Sequence, residues 1–252
     1  MVIETSDEGA VRVVRFNRPE ARNAFNAALY QAVTEALVEA ASSTGVHVVV
    51  LTGAGVAFSA GQDLKEMAAI VAGAARPEAA RGFPALLEAV QSFHKPLVAA
   101  VNGVGIGLGF TLLAHCDLVL ISDDARLRVP FAELGVPAEA ASSYLFPVTM
   151  GWQRAAHTLF TGAWLGAQEA VDAGIALARV PAASLMAETM VLAGTIAAQP
   201  PDAVQAIKRL LLATRRDAVA GARGREDAAF AELLGSPANV EALDRFGDRH
   251  PA

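Results

Sequence analysis

The chain has a single cysteine, Cys116, so an internal disulfide is excluded. A reducing, cytoplasmic setting is expected, and apolar neighbours suit Cys116 to a buried, inert thiol. Trp and Tyr are scarce, two of each in 252 residues, and the net charge is −6. Basic and aromatic residues do not interleave. Nucleic acid is thereby excluded as a partner, because a basic footprint supplies most of that affinity. No uninterrupted apolar run reaches the roughly 18 residues of a membrane-spanning helix, so no membrane partner is expected. The first residues, Met1-Val2-Ile3-Glu4-Thr5, have neither a basic stretch nor an apolar core, and no secretory leader is expected. Charge itself is sparse at 18%, whereas 54% of the residues are hydrophobic, enough for a sizeable core. The length suits one large domain, or a domain with an appendage.

Strand and helix patterns alternate over most of the chain. Val11, Val13, Val14 and Phe16 read as an early strand, ended by Asn17-Arg18-Pro19. Asn26 reads as an N-cap, after which Leu29, Val33, Leu37 and Val38 recur at helical spacing. The β-branched run Val46 to Leu51 predicts a buried strand. Gln62 to Val71 predicts a helix, which the Ala/Gly-rich stretch Gly73 to Pro77 breaks and leaves mobile. Pro84 to Phe93 predicts another helix, Leu97 to Val101 a strand, Gly107 to His115 a helix and Asp117 to Ser122 a strand. Strand–turn–helix alternation indicates an α/β chain. From Ala182 to Phe246 the pattern is helical, punctuated by Pro200-Pro201 and Pro237. A boundary is therefore expected near it, with a core in residues 1–197 and a helical C-terminal region in 198–252.

Two junctions carry the functional signal. Phe58-Ser59-Ala60-Gly61-Gln62-Asp63-Leu64 and Ala100-Val101-Asn102-Gly103-Val104-Gly105-Ile106-Gly107-Leu108-Gly109 each follow an apolar strand and lead into a helix. Small residues let the backbone approach a ligand closely. The first amides of a helix have no partner within it. Two such junctions side by side could aim two N–H groups at one oxygen, the arrangement of an oxyanion hole. The same glycines also suit turns that only pack tightly.

These segments resemble the crotonase, or enoyl-CoA hydratase/isomerase, superfamily. Further matching pieces are Asn17-Arg18-Pro19-Glu20-Ala21-Arg22-Asn23-Ala24, Leu51-Thr52-Gly53, His94 to Gly103, Cys116-Asp117 and Pro130 to Pro137, in order from residue 10 to about 180. The resemblance implies a spiral of ββα units with a helical C-terminal region that drives assembly into trimers or dimers of trimers. Phe230, Leu233, Leu234, Leu243 and Phe246 lie in that region. It implies an acyl-CoA substrate from fatty-acid metabolism, with coenzyme A present only as part of the thioester, and neither a metal nor a redox cofactor. Residue by residue, the thioester oxygen would accept hydrogen bonds from the backbone N–H groups of Ala60 and Leu108. Coenzyme A would lie against Ala21, Arg22, Ser59 and Ala60, and against Gln62, Asp63, Leu64 and Lys65. Arg22 and Lys65 would meet its phosphates.

The general base separates the family's activities. Hydratases that this chain resembles use two glutamates, at the positions of Thr111 and Phe131 here. Neither side chain can activate water, and Glu133 is left as a reserve base. The stretch Pro137-Ala138-Glu139-Ala140-Ala141-Ser142-Ser143-Tyr144-Leu145-Phe146-Pro147 resembles that of Δ3,Δ2-enoyl-CoA isomerases, where the glutamate, here Glu139, is the single catalytic base. Its alanine neighbours would raise a carboxylate pKa. A glutamate at a helix start can also serve only the helix dipole. The expected reaction moves a 3-enoyl double bond to the 2-position. The alternatives are a hydratase using Glu133 or Glu139 or both, and a non-catalytic acyl-CoA-binding homologue.

Other readings fit less well. His94 and His115 read as structural histidines, and Asp63 and Asp117 as turn and cap acceptors. The dinucleotide fingerprint G-x-G-x-x-G fails, because Leu108 lies three past Gly105 and Phe110 three past Gly107. A serine-hydrolase elbow at Ser59 has Ala57 where glycine is required.

Overall fold

The computed structural model describes residues 1–74 and 77–249, without the side chains of 77–80 and 246–249. Two sheets organise the chain. The larger runs in the order β1 (Ile3–Glu8), β2 (Val11–Phe16), β3 (Val48–Gly53), β5 (Leu97–Val101), β7 (Leu118–Ser122) and β10 (Ala178–Val180). Its first pair is an antiparallel hairpin and the remaining pairs are parallel. The smaller sheet holds β4 (Ala57–Ser59), β6 (Val104–Ile106), β8 (Arg126–Arg128) and β9 (Leu165–Gly166). Each of β3, β5 and β7 turns within a few residues into β4, β6 or β8, and a helix follows. Those helices are α2 (Leu64–Val71) with α3 (Pro77–Ser92), then α4 (Leu108–Thr111), then α5 (Ser142–Met150). The expected spiral of ββα units is therefore present, with equivalent strands of successive units stacked in parallel.

The apolar runs have a direct cause. Strands β3 and β5 are buried along their whole length. Val49, Leu51, Leu97, Ala99 and Val101 join one core, while Val48, Val50, Val98 and Ala100 join another under α8 (Leu185–Ala197). A parallel strand covered on both faces cannot alternate with polar residues. The short strands of the smaller sheet, and the polar edge strand β1, lack any such signal and were not expected.

Helix α1 (Ala27–Ser42) begins where predicted, with Asn26 Oδ1 accepting the Leu29 amide at 3.0 Å. Its buried stripe includes Tyr30, whereas Val38, expected on that face, is exposed. Helix α2 starts at Leu64, two residues later than expected, because Asp63 caps it through the Lys65 and Glu66 amides. Helix α3 starts upstream of the expected Pro84 and carries that proline inside it. Its packing on α1 outweighs the proline signal: a Cβ on Gly82 would lie 2.7 Å from Tyr30 Cβ, so only glycine admits this approach. The helix expected from Gly107 to His115 is one α-helical turn followed by a 3-10 turn, Leu112–His115. Of the expected break at Gly73 to Pro77, residues 75 and 76 lie outside the described residues.

From Ala182 onward the chain is helical, as expected; the two helices before it were not foreseen. Helices α6 (Trp152–Thr161) and α7 (Ala167–Asp172) precede α8, and α9 (Pro201–Ala213), α10 (Arg216–Leu233) and α11 (Pro237–Arg249) follow it. Lys208 of α9 is buried and donates to Lys95 O at 2.6 Å and to Asp117 at 2.7 Å. Val219 and Ala222 of α10 pack on Ala141 and Leu145. Phe230 packs against the main core and Leu243 is buried, while Leu233 is exposed. The side chain of Phe246 lies outside the described residues. Among the described residues, no helix is long and apolar enough to cross a membrane.

Candidate functional site

The two glycine-rich junctions meet. Strand β4 ends at Ser59, and the Ala60 amide then donates to Arg22 O at 2.9 Å. The Ser59 hydroxyl donates to Asn23 O at 2.8 Å and accepts from the Gly61 amide at 3.1 Å. The chain turns at Gly61, with φ 81, and a Cβ there would sit 2.4 Å from Ile106 O and 3.3 Å from the Leu108 nitrogen. Beyond the turn, Phe25 pairs in parallel with Gln62, donating to Gly61 O at 2.7 Å and accepting from the Asp63 amide at 2.9 Å. In a parallel pairing of this kind the opposed residue points its own amide away. Among the described residues nothing accepts the amides of Gln62 or Leu108. The expectation for Ala60 is therefore corrected. Its N–H is still in register with the Arg22 turn, and the next outward amide belongs to Gln62. Leu108 begins α4, so its N–H has no partner within the helix.

Glu139 is held from α4, the helix that Leu108 begins. Thr111 Oγ1 donates to Glu139 Oε1 at 2.5 Å, and Thr111 is fully buried. Oε2 is buried with no hydrogen-bond partner. Glu139 is only 9% exposed, and burial pushes its carboxyl up to about 8. The Thr111 hydrogen bond and Arg223 oppose that rise, while Glu226 adds to it. The next two residues, Ala140 and Ala141, are left-handed, with φ 55 and 59. His115 Nε2 donates to Ala140 O at 2.7 Å. Glu226 of α10 accepts the Ala141 amide at 2.6 Å and the Ser143 amide at 2.9 Å. Tyr30 spans the site. Its hydroxyl donates to Gln62 Oε1 at 2.6 Å, and burial, then Glu139 and Glu66, push its pKa well up.

An apolar cavity of about 370 Å³ is bounded by Ala138, next in sequence to Glu139, and by Phe131, Val136, Pro147, Leu159 and the exposed rings of Trp152 and Phe160. Phe131 also reaches within 4.0 Å of the Cβ position of Gly107, next to the Leu108 amide. Phe131 is thus shared between the cavity lining and the neighbourhood of the Gly107–Leu108 junction. Arg22 and Lys65, the expected phosphate contacts, are exposed, and neither is ion-paired among the described residues.

Several expected roles change. Glu133, the reserve base, is 58% exposed at its side chain and paired with Arg128 at 2.5 Å. Ser59 is buried and held at both ends of its hydroxyl, which leaves it no role as a nucleophile or a ligand contact. One Asp63 oxygen caps α2 and the other meets Arg18 at 3.2 Å, so this carboxylate is structural and does not reach for a ligand. Asp117 is no cap: it accepts the Leu97 amide at 2.7 Å and pairs with Lys208. Burial pushes the Cys116 thiol up to about 12 and lowers His115 to about 4, in keeping with an inert thiol and a neutral structural histidine. No group of three or more metal-binding side chains occurs among the described residues. Tyr30, Arg223 and Glu226 were not singled out in the sequence, where helical spacing marks Tyr30 as core and the other two as surface charge.

Comparisons with known proteins identify the family and the fold. The family profile described as enoyl-CoA hydratase/isomerase matches residues 6–251. Enoyl-CoA delta isomerase 2 of Rattus norvegicus is 33% identical over 99% of this chain, which spans only 64% of that protein's length. The 2,3-dehydroadipyl-CoA hydratase of Escherichia coli K12 is 32% identical, over 96% of this chain and 93% of its own. Among solved structures, the enoyl-CoA hydratase/isomerase of Pseudoalteromonas atlantica superposes with a TM-score of 0.91 at 33% identity, covering 100% of both chains.

Proposed function

The chain belongs to the enoyl-CoA hydratase/isomerase family, and within it we propose an isomerase that moves a 3-enoyl-CoA double bond to the 2-position through Glu139. The carrying observation is a buried carboxylate with one oxygen held by the Thr111 hydroxyl and the other unpartnered. Hydration needs one group to activate water and a proton delivered to the α carbon. Glu133 pairs with Arg128 at the surface, and both oxygens of Glu226 accept backbone amides. Glu66 Oε1 accepts the Ala27 amide at 3.1 Å and its Oε2 is unpartnered, but Glu66 is only half-buried, whereas Glu139 is 9% exposed and held by Thr111.

In this reading the thioester oxygen sits between the amides of Gln62 and Leu108, which form the oxyanion hole. Glu139 Oε2 removes a C2 proton, and the two amides stabilise the dienolate as charge moves onto the oxygen. The same carboxyl returns the proton at C4. One base is enough because C2 and C4 belong to one allylic system. The chemistry is proton transfer between carbons and requires neither a metal nor a redox cofactor. The acyl tail lies in the apolar cavity, and Arg22 and Lys65 meet the phosphates of coenzyme A. Ile207, Leu210 and Leu211 leave an exposed apolar face on α9, which supports 198–252 as the region of self-association into trimers or dimers of trimers in a cytoplasmic setting.

The test is turnover. With 3-hexenoyl-CoA the protein should accumulate the conjugated 2-enoyl thioester. Crotonyl-CoA hydration at typical enzymic rates, above about 10 per second, would establish the hydratase alternative, for which the Escherichia coli relative speaks. Tight acyl-CoA binding without C2 deuterium exchange would leave only the non-catalytic homologue.

A further inference from the structure

The turn that carries Glu139 is strained and does not hold itself. Two consecutive non-glycine residues, Ala140 and Ala141, adopt left-handed backbone, a conformation that residues with a Cβ avoid and that persists only when its surroundings impose it. Both are buried, so water cannot satisfy the amides that this geometry turns inward. Local bonds satisfy only part of the turn, since Ser142 N donates to Glu139 O at 3.0 Å and His115 donates to Ala140 O. The amides of Ala141 and Ser143 are left pointing the same way. Their acceptor comes from far along the chain: Glu226, on α10, is 6% exposed and receives one amide on each oxygen.

We propose that Glu226 is a positioning residue for catalysis, a carboxylate of the C-terminal helical region that clamps the Ala140–Ser143 turn and so fixes the direction of the Glu139 side chain. The inference rests on Glu139 being the base. It assigns to α10 a part in the active site as well as in packing. A carboxylate suits the task because it is acceptor-only and offers two oxygens to two parallel N–H groups. Glutamine would present an NH2 group to one of them. The second negative charge also stands behind Glu139 and disfavours its ionised form. Every charged or titratable group facing Glu139 enters this balance: Tyr30 from α1 with Glu66 of α2 beside it, His115 beneath the turn, and Arg223 and Glu226 from α10. Arg223 favours the ionised carboxylate and Glu226 opposes it.

The test uses the full-length protein with three variants. Glu226→Gln should lower kcat for 3-hexenoyl-CoA by up to about 100-fold, as small misplacements of a catalytic group do, while KM stays nearly unchanged. The midpoint of its pH profile should move down, because a negative charge has been removed. Glu226→Asp keeps the charge and should keep that midpoint while recovering part of kcat. Ala141→Gly added to Glu226→Gln should also recover part of kcat, since glycine adopts the left-handed turn without a clamp. A Glu226 that only packs or only adds charge would alter stability or move the midpoint, but would leave kcat intact at pH values where Glu139 is ionised and would gain nothing from the glycine. Unchanged kcat and midpoint in Glu226→Gln overturn the proposal. The carboxyl-carbon NMR titration of Glu139, assigned by its loss in Glu139→Gln, reads the same shift without turnover. A parent that does not isomerise therefore refutes the reaction and leaves the clamp decided by that titration. Should Glu226→Gln not fold, Glu226→Asp is read alone: a fall in kcat that accompanies weaker amide protection at Ala141 and Ser143 supports the clamp, and parental kcat despite lost protection overturns it.

Discussion

The Thr111 hydroxyl and the Glu139 carboxylate form a 2.5 Å hydrogen bond with both residues sealed from solvent. It is the sole hydrogen bond to the Glu139 carboxyl among the described residues. The proposed chemistry follows from that economy. One oxygen is fixed in direction, and the other is free to meet a carbon-bound proton.

Thr111→Val keeps the shape and removes the donor. Hydrogen bonds to charged groups contribute about 1.5–3 kcal/mol, equivalent to about one to two in pKa. The Glu139 carboxyl should titrate correspondingly higher, and kcat/KM at neutral pH should fall about tenfold or more. The fall should shrink as the assay pH is raised. A loss of equal size at every pH would mean that Thr111 only packs.

Titration of Glu139 sets the pH dependence. The base is active when ionised, so kcat/KM should rise with pH and level off above about 8. Stability should run the other way. The folded carboxyl keeps its proton up to about 8, whereas the unfolded chain releases it near the ordinary 4.5. Stability is therefore lost as pH rises through that window. Glu139→Gln should remove this slope, raise the melting temperature most above pH 8, and cut isomerisation roughly 100- to 10,000-fold. Glu133→Gln, which loses only a surface pair worth about 1 kcal/mol or less, should keep turnover and stability.

His115 should give an acid slope. It is held neutral at about 4, against an ordinary 6.5, so the unfolded chain takes up a proton that the folded chain refuses. Stability should fall as pH drops from about 6.5 towards 4. Denaturant titrations of His115→Gln, which can still donate to Ala140 O, should lack that slope. Persistence of the full slope would assign it to another group.

The Leu108 amide can be removed by itself. Leu108 is the first residue of α4, a position where proline is tolerated. Leu108→Pro should lower kcat about 100- to 1,000-fold, the usual effect of losing one oxyanion donor. Leu108→Ala keeps the amide and should retain most of kcat despite a smaller core side chain. Equal losses in the two variants would show that the leucine side chain matters and the amide does not.

Strands β2, β3, β5 and β7 of the large sheet were legible because they are covered on both faces and so read as apolar runs, whereas the polar edge strand β1 and the short β10 were not. The Asn26 and Asp63 caps were legible because a cap is a contact of two or three residues. The local stretch around Glu139 singled that residue out. The smaller sheet was not legible, since strands of two or three residues have no periodicity to show. The outward amide was misjudged by two positions, as Ala60 and Gln62 differ only in which neighbouring turn each faces. Tertiary structure alone brought Thr111 to Glu139 across 28 residues and Glu226 to Ala141 across 85. Periodicity and capping reach about one helical turn along the chain, whereas desolvation of a carboxylate and the clamping of a strained turn depend on which distant segments the fold packs together.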